Sequence, residues 1–219
     1  MNDRVNTTLN GDSSMNDLLR RKWHDLLGAW AVMPSLADEM FEDIHQHYTG
    51  PGRFYHTLDH IGAMLETVEC LGSHARNLNT VKLAVWLHDV IYDSKASDNE
   101  ARSAECAEKL CERLDIPEGK VVAALILKTN THEAGDDPDA QVLLDADLAI
   151  LGASKSAYRA YAEQIRQEYA WVPEPDYRKG RRQVLERFLA RPRTFHLLAH
   201  LEEPARRNIT AEIAQLCGA

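Results

Sequence analysis

The sequence predicts an all-α protein, and three features of the chain support this fold class. Apolar residues recur every three or four positions along most segments, which is the spacing of one face of a helix. Helix-start signals, such as Ser-x-x-Asp at 14–17 and Ser-Asp-Asn-Glu at 97–100, precede several of these segments. No segment alternates apolar and polar residues as a half-buried strand does, and the sequence contains no internal repeat.

The N-terminal part predicts a tail and two scaffold helices. Residues 1–13 are rich in Asn, Asp, Thr and Gly without periodicity, so we expect a flexible tail there. One helix is expected from Ser14, and Pro34 opens a second one that ends near Tyr48, before the breaker Gly-Pro-Gly at 50–52. Histidines of these helices are interpreted as surface or boundary residues: His24, His45 and His47.

The middle of the chain predicts five further helices. Apolar residues at 61–71 share one helix face, and the next helix begins near Thr80. The run 97–100 has the form of a capping box at the start of a third helix. Pro117 suits the first position of a fourth helix, and Asp-Asp-Pro at 136–138 caps a fifth.

The C-terminal part predicts helices around a proline kink. Tyrosines and Ile165 recur at helical spacing over 158–169, and Trp-Val-Pro-Glu-Pro at 171–175 interrupts the pattern. Another helix is expected over 184–189, and a short and a final helix follow Arg193. One dense basic cluster is either a solvated helix face or, if it lies over a pocket, a phosphate-binding patch: Arg178, Lys179, Arg181 and Arg182.

Composition narrows the class of protein. A chain of 219 residues with 44% hydrophobic residues suits a single domain, which we place at 14–219. The net charge of -9 argues against binding a nucleic acid polymer, because that affinity comes from neutralising phosphates. The four cysteines form no metal-binding pair, and no apolar run suits a membrane span or a signal peptide. We therefore expect a cytoplasmic monomer or homodimer without a membrane partner.

An imidazole and a carboxylate interrupt the otherwise apolar run at 83–91. Burying an unpaired carboxylate is costly, so Asp89 must be hydrogen-bonded, ion-paired or bound to a cation. The alternative is a helix end at which His88 and Asp89 meet solvent.

Three other places carry polar residues where a helix face would otherwise be apolar. His56 and His60 are four residues apart and so share one face of a helix. Asp145 and Asp147 are two apart and point to different sides, so at most one of them should face a given ion directly. His132 ends an apolar helix, and its role is either structural or functional.

Imidazoles and carboxylates together suit a divalent metal ion with open coordination positions. The candidates are Mn, Mg, Co, Fe, Ni and Zn. An ion of this kind lowers the pKa of a bound water and polarises a phosphoryl oxygen. The metal-site core is expected at about 53–152.

The order His, His-Asp, Asp on an all-α chain resembles the HD-domain superfamily of metal-dependent phosphohydrolases. Tyr-His-x-x-x-His at 55–60 is similar to a motif of the cyclic-nucleotide phosphodiesterases, distant members of that superfamily, and Ala-Asp-Leu at 146–148 is similar to the segment with their last ligand. The resemblance implies a compact HD-like helical bundle with extra terminal helices. It also implies the ligands His60, His88, Asp89 and Asp147, with His56 as general acid.

Three stretches together resemble a bacterial branch of predicted HD phosphohydrolases: Arg-Phe-Tyr-His-Thr-Leu-Asp-His-Ile, His-Asp-Val-Ile-Tyr-Asp and Leu-Leu-Asp-Ala-Asp-Leu-Ala-Ile-Leu-Gly. The implied reaction is hydrolysis of a small phosphate ester, such as a nucleotide or a related molecule, with His56 and Asp89 catalytic. Thr57 stands where the phosphodiesterase motif has Asn, and no Gln that would clamp a purine is identified.

Further residues are assigned supporting roles around this site. Carboxylates that could orient a ligating imidazole are Asp93, Glu100 and Asp145. Side chains that could contact the substrate or complete the site are Arg53, Tyr55, Lys128 and His132.

Three alternatives differ in class from a hydrolase. A regulatory module would bind a nucleotide or metal without turnover. A di-iron HD-type oxygenase would need an extra bridging ligand such as His132. A purely structural helical protein would leave Asp89 and Asp147 as buried carboxylates without a partner.

Overall fold

The computed structural model of the protein describes residues 6–218, and the side chains from residue 15 onward. Ten α-helices, joined by turns and short 3-10 segments, make up this part of the chain, and it contains no strand. The prediction of an all-α protein is therefore confirmed. The helices are α1 (Asn6–Gly28), α2 (Pro34–Tyr48), α3 (Leu58–Cys70), α4 (Leu78–Leu87), α5 (Asn99–Arg113), α6 (Gly119–Thr131), α7 (Pro138–Leu148), α8 (Lys155–Glu168), α9 (Glu174–Ala190) and α10 (Glu202–Cys217).

Three helix starts differ from their predicted positions. Helix α6 begins at Gly119 and not at Pro117, because Pro117 and Glu118 form a turn ahead of it. Helix α1 begins at Asn6, ahead of the expected start at Ser14, since extending an existing helix by one residue gains a hydrogen bond without a new nucleation step. Residues 1–5 of the predicted tail lie outside the described residues. Helix α5 begins at Asn99, and its N-cap residue Asp98 makes no side-chain capping hydrogen bond, so the capping box predicted at 97–100 does not form. The Asn99 carboxamide bonds the backbone of Asp93 and joins the helix start to that loop.

The main core is built by α1 to α7 around large aromatic side chains. Trp23 and Trp86 are fully buried and meet edge to face, with their ring centroids 5.3 Å apart. Tyr48, also fully buried, donates its hydroxyl hydrogen bond to the backbone oxygen of Trp86 at 3.0 Å. This packing fixes the end of α4, from which the central histidine follows directly.

A second, smaller core joins α8, α9 and α10 to the end of α7. Its buried members include Leu148, Leu185 and Ile209. Arg181 forms a buried ion pair with Glu212 at 2.8 Å, and Tyr158 donates its hydroxyl hydrogen bond to the same carboxylate at 2.6 Å. None of the helices within residues 6–218 is long and apolar enough to cross a membrane.

Candidate metal centre

Three helices of the main core bring two histidines and one aspartate together. His88 caps the C-terminus of α4, His60 lies in the first turn of α3, and Asp147 lies in the last turn of α7. One ligand atom from each residue falls within 4.8 Å of the other two. Asp147 Oδ1 is 3.4 Å from His60 Nε2 and 3.9 Å from His88 Nε2. The protein thus contains a buried His-His-Asp group that could hold a metal ion.

Two imidazole nitrogens of this group lack a hydrogen-bond partner among the described residues. They are Nε2 of His60 and Nε2 of His88, and both atoms are buried. His88 Nδ1 lies 2.9 Å from the backbone oxygen of Val85, so the proton of the neutral ring belongs on Nδ1 and the lone pair of Nε2 faces the group. Buried polar atoms are normally satisfied, so two such atoms beside one carboxylate are suited to binding a cation.

The pKa values of the group are set by burial and by its charged neighbours. Burial lowers the pKa of His60, which suits a neutral imidazole ligand. Burial also acts against the charged form of His88, but neighbouring Asp89 and Asp147 outweigh it and raise the pKa of His88 to about 9. Burial acts to raise the pKa of Asp147, yet the hydrogen bond with His132 and the nearby His60 imidazole hold it well below its usual range. The two aspartates thus favour a proton on His88, and a bound cation would compete with that proton.

Asp89 lies beside the group rather than within its three-atom set. Its Oδ2 is 3.0 Å from His88 Nε2, without hydrogen-bond geometry, and 3.9 Å from His56 Nε2. Burial acts to raise the pKa of Asp89, but the charges of His88 and His56 lower it. Its role as a fourth ligand stays a prediction.

His132 also reaches the group, from the end of α6. Its Nε2 is 3.1 Å from Asp147 Oδ2, the carboxylate oxygen that does not face His60. The residue adopts a left-handed conformation with φ of 52°, and Arg191 donates a hydrogen bond to its backbone oxygen at 3.0 Å. The two oxygens of Asp147 therefore face different imidazoles.

His56 is held by a carboxylate that sequence reasoning missed. Glu168 Oε2 lies 2.7 Å from His56 Nδ1 and accepts the Tyr92 hydroxyl at 2.8 Å. Glu168 Oε1 accepts the backbone N–H groups of Phe54, Tyr55 and His56 at 2.9 to 3.0 Å. This contact leaves Nε2 as the ring nitrogen of His56 that faces Asp89.

Glu168 titrates far from its ordinary range. Burial acts to raise its pKa, but the hydrogen bond with His56 outweighs burial and lowers the pKa to about 2. For His56, burial acts to lower the pKa, while Asp89 and Glu168 outweigh it and raise the pKa. One sequence signal could have identified Glu168: it continues the spacing of Tyr158, Tyr161 and Ile165 on the buried face of α8.

Asp145 faces away from the histidines, as its spacing from Asp147 predicts. Its fully buried carboxylate accepts backbone N–H groups from His196, Leu197 and Leu198, at distances from 2.6 to 3.1 Å. The carboxylate therefore fixes the segment ahead of α10, and it orients none of the imidazoles through a hydrogen bond in the described structure.

Arg53 joins the two segments that carry the central residues. Its guanidinium donates hydrogen bonds to the backbone oxygens of His56, Asp89 and Val90 at 2.8 to 3.0 Å. These N–H groups are committed to the protein rather than directed at a ligand. The Tyr55 ring packs against His60, with ring centroids 4.8 Å apart, and so supports that imidazole.

Other predicted contributors lie at the margin. Lys128 donates to the backbone oxygen of Ala134 at 3.2 Å and lies 3.6 Å from Asp137. Asp93 is exposed and accepts a hydrogen bond from the N–H of Lys95. Glu100 lines the cavity described below and accepts a hydrogen bond from Asn130.

The basic cluster is divided between the surface and the interior. Arg178 pairs with Glu174 at 2.8 Å, and Arg182 lies 3.5 Å from Glu186. Arg181 instead turns inward to its buried ion pair. The cluster does not present a common phosphate-binding face.

A cavity of about 680 Å³ opens beside the centre, which is within the usual size range for small-ligand sites. Its walls include His56, His88, Asp89, His132 and Asp147. Further lining residues come from α8 and α9. A small molecule could therefore reach the His-His-Asp group.

Comparisons of the chain with protein-family models, with curated proteins and with solved structures found no match.

Proposed function

We propose that this protein is a metal-dependent phosphohydrolase of the HD type that cleaves a small phosphate ester. One observation carries the proposal: two buried imidazole nitrogens without a hydrogen-bond partner meet a carboxylate beside a cavity, and the same cavity is lined by His56, whose ring is held by Glu168. The imidazole nitrogens and the carboxylate suit a divalent ion, and the pair of His56 and Glu168 suits proton transfer to a leaving group.

In this proposal His60, His88 and Asp147 hold the ion, with Asp89 as a further ligand. The neutral ring of His60 and the Val85-oriented ring of His88 supply nitrogens, and the aspartates supply negative charge. When bound, a divalent ion would activate water and neutralise charge on the phosphoryl oxygens. The resemblance of the motif order to HD phosphohydrolases supports the same assignment.

His56 would give a proton to the departing alkoxide. Its Nδ1 is held by Glu168, while its Nε2 lies on the side of Asp89 and the cavity. Asp89 and Glu168 raise the pKa of His56, which favours the protonated state that a general acid needs. Glu168 is a positioning residue, because it acts through His56.

The test is a screen of phosphate esters with purified, metal-free protein to which single ions are added back. The panel contains p-nitrophenyl esters, nucleoside monophosphates and cyclic nucleotides, each with Mn²⁺, Mg²⁺, Co²⁺ and Fe²⁺. We expect hydrolysis that depends on the ion and is lost in Asp147→Ala. Absence of hydrolysis with every ion and ester, in protein that binds metal, would refute the proposal.

A second candidate, a di-iron oxygenase, is favoured by the position of His132. Asp147 directs one oxygen toward His60 and the other to within 3.1 Å of His132, an arrangement in which one carboxylate could bridge two ions. This candidate predicts two irons per chain and loss of one of them in His132→Ala. Iron analysis and the absorption spectrum of the iron-loaded protein distinguish it from the hydrolase.

A further inference from the structure

The part of the cavity lining that comes from α8, α9 and the turn between them carries a group of apolar and aromatic side chains beside the polar residues Asp176, Arg181, Gln183 and Arg187. This group, called the α8–α9 wall below, includes Tyr161, Tyr169, Val172, Val184 and Phe188. Val184 is 38% exposed, and it lines this cavity. An aliphatic side chain in such a place gains free energy when a ligand removes its surface from water.

Several polar groups in the cavity lining are already bonded to the protein. The carboxamide of Asn99 both donates to and accepts from the backbone of Asp93. The carboxamide of Asn130 donates to Glu100, and the Tyr161 hydroxyl accepts from Arg181. A sugar or a nucleobase bound here would therefore meet polar groups that are already partly engaged with the protein.

The charges of the cavity also disfavour a second anionic group. Its described lining contains two guanidinium groups, those of Arg181 and Arg187, and Arg181 is already paired with Glu212. Four carboxylates share the lining: Asp89, Glu100, Asp147 and Asp176. Polyphosphates are usually bound by several cations, which this lining does not provide.

We infer that the alcohol part of the substrate is an uncharged hydrocarbon group that packs on the α8–α9 wall. This inference rests on the proposed function, since it places the phosphoryl group at the metal centre. It narrows the substrates to phosphate esters of alkyl or aryl alcohols, and it argues against sugar phosphates and nucleotides.

The test compares ethyl, butyl and hexyl phosphate, whose leaving alcohols have nearly the same intrinsic reactivity. Each added methylene that packs on the wall is removed from water, so we expect kcat/KM to rise about tenfold or more from ethyl to hexyl phosphate. Hexyl phosphate should also exceed ribose 5-phosphate and AMP. A flat series, or a preference for either of those two substrates, would overturn the inference and leave the proposed function intact.

Val184→Asp tests the wall itself, with Val121→Asp as the matched control. Val121 is likewise exposed, lies on α6 and is outside the cavity lining. We expect Val184→Asp to reduce the rise from ethyl to hexyl phosphate to less than about threefold, and Val121→Asp to keep it. Val184→Asn replaces the Asp variant if circular dichroism shows that the latter does not fold. An unchanged rise in a folded Val184 variant would contradict the inference.

A binding measurement separates failure of the inference from failure of the proposed function. Calorimetric titration of Mn²⁺-loaded protein with ethylphosphonate and hexylphosphonate requires no turnover. If no ester is hydrolysed, the proposed function fails, and hexylphosphonate bound about tenfold more tightly than ethylphosphonate would still support the apolar wall. Equal dissociation constants would overturn it.

Discussion

The carboxylate of Glu168 gives the most quantitative prediction from this structure. It is buried, and both of its oxygens accept hydrogen bonds: one from three successive backbone N–H groups, the other from His56 and Tyr92. Glu168→Gln keeps the size of the side chain but removes its negative charge. It also places an amide N–H₂ group where donors now point. We expect a folded protein of lower stability in which His56 loses its oriented partner.

The magnitude follows from the pKa of Glu168, which folding lowers from 4.5 to about 2. Since each pKa unit corresponds to about 1.4 kcal/mol, the ionised carboxylate contributes about 3 kcal/mol to the free energy of unfolding. A depressed carboxyl pKa stabilises the fold above the unfolded value of 4.5, and this contribution is lost as the pH falls toward 2. About 2 kcal/mol should be lost between pH 6 and pH 3.

The assay is denaturant unfolding of the metal-free wild-type and Glu168→Gln proteins at intervals from pH 6 to pH 3. The wild-type free energy of unfolding should fall by about 2 kcal/mol more than that of the variant over this range. Glu66→Gln, which changes an exposed residue of α3, serves as the control and should track the wild type. If the difference in free energy of unfolding between the wild type and Glu168→Gln stays constant with pH, the reasoning is refuted.

Three further predictions concern the site and its supports. Asp145→Asn should lower the free energy of unfolding by about 1–3 kcal/mol, because backbone N–H groups lose an acceptor. The folded variant should keep its metal affinity. Urea unfolding measures the first quantity, and calorimetry measures the second. If the protein is a phosphohydrolase, His56→Ala should retain metal but reduce turnover about 10²–10⁴-fold, and unchanged turnover would exclude His56 as the acid. Arg181→Met should lower the free energy of unfolding by about 3–5 kcal/mol, because the buried carboxylate of Glu212 loses its ion-pair partner. Arg159→Met, at an exposed ion pair, should lower it by less than about 1 kcal/mol in the same experiment. Equal losses in the two variants would contradict this account.

Sequence periodicity was sufficient to predict the helical fold. The apolar spacing that ends at Leu87 and the cap at Asp137 correspond to helices in the structure. The helix starts at Asn6 and Asn99 were not predicted. The signal at Ser14 does not show that α1 extends further toward the N-terminus, and the signal at Ser97 does not show that Asn99 bonds the loop at Asp93.

The metal-centre residues were identifiable because they are polar within apolar runs. His88 and Asp147 stand out for this reason, and the two-residue spacing correctly placed Asp145 on another side. Glu168 did not stand out, since a glutamate near a helix end is common at the surface and its partner His56 is 112 residues away. Arg53 was predicted to contact phosphate, but only tertiary structure could reveal that backbone oxygens from two segments surround its guanidinium.

Metal binding by the His60, His88 and Asp147 group is the most direct test of the central claim. The measurement is metal content after equilibration with Mn²⁺, Fe²⁺, Co²⁺, Ni²⁺ or Zn²⁺ and removal of the free ion. It compares the wild type with Asp147→Ala and with His24→Ala, a partly exposed histidine that bonds Asp38. We expect at least one ion per chain in the wild type and His24→Ala, and loss of that ion in Asp147→Ala. No bound ion in the wild type, or full retention in Asp147→Ala, would contradict the assignment of this group as a metal centre.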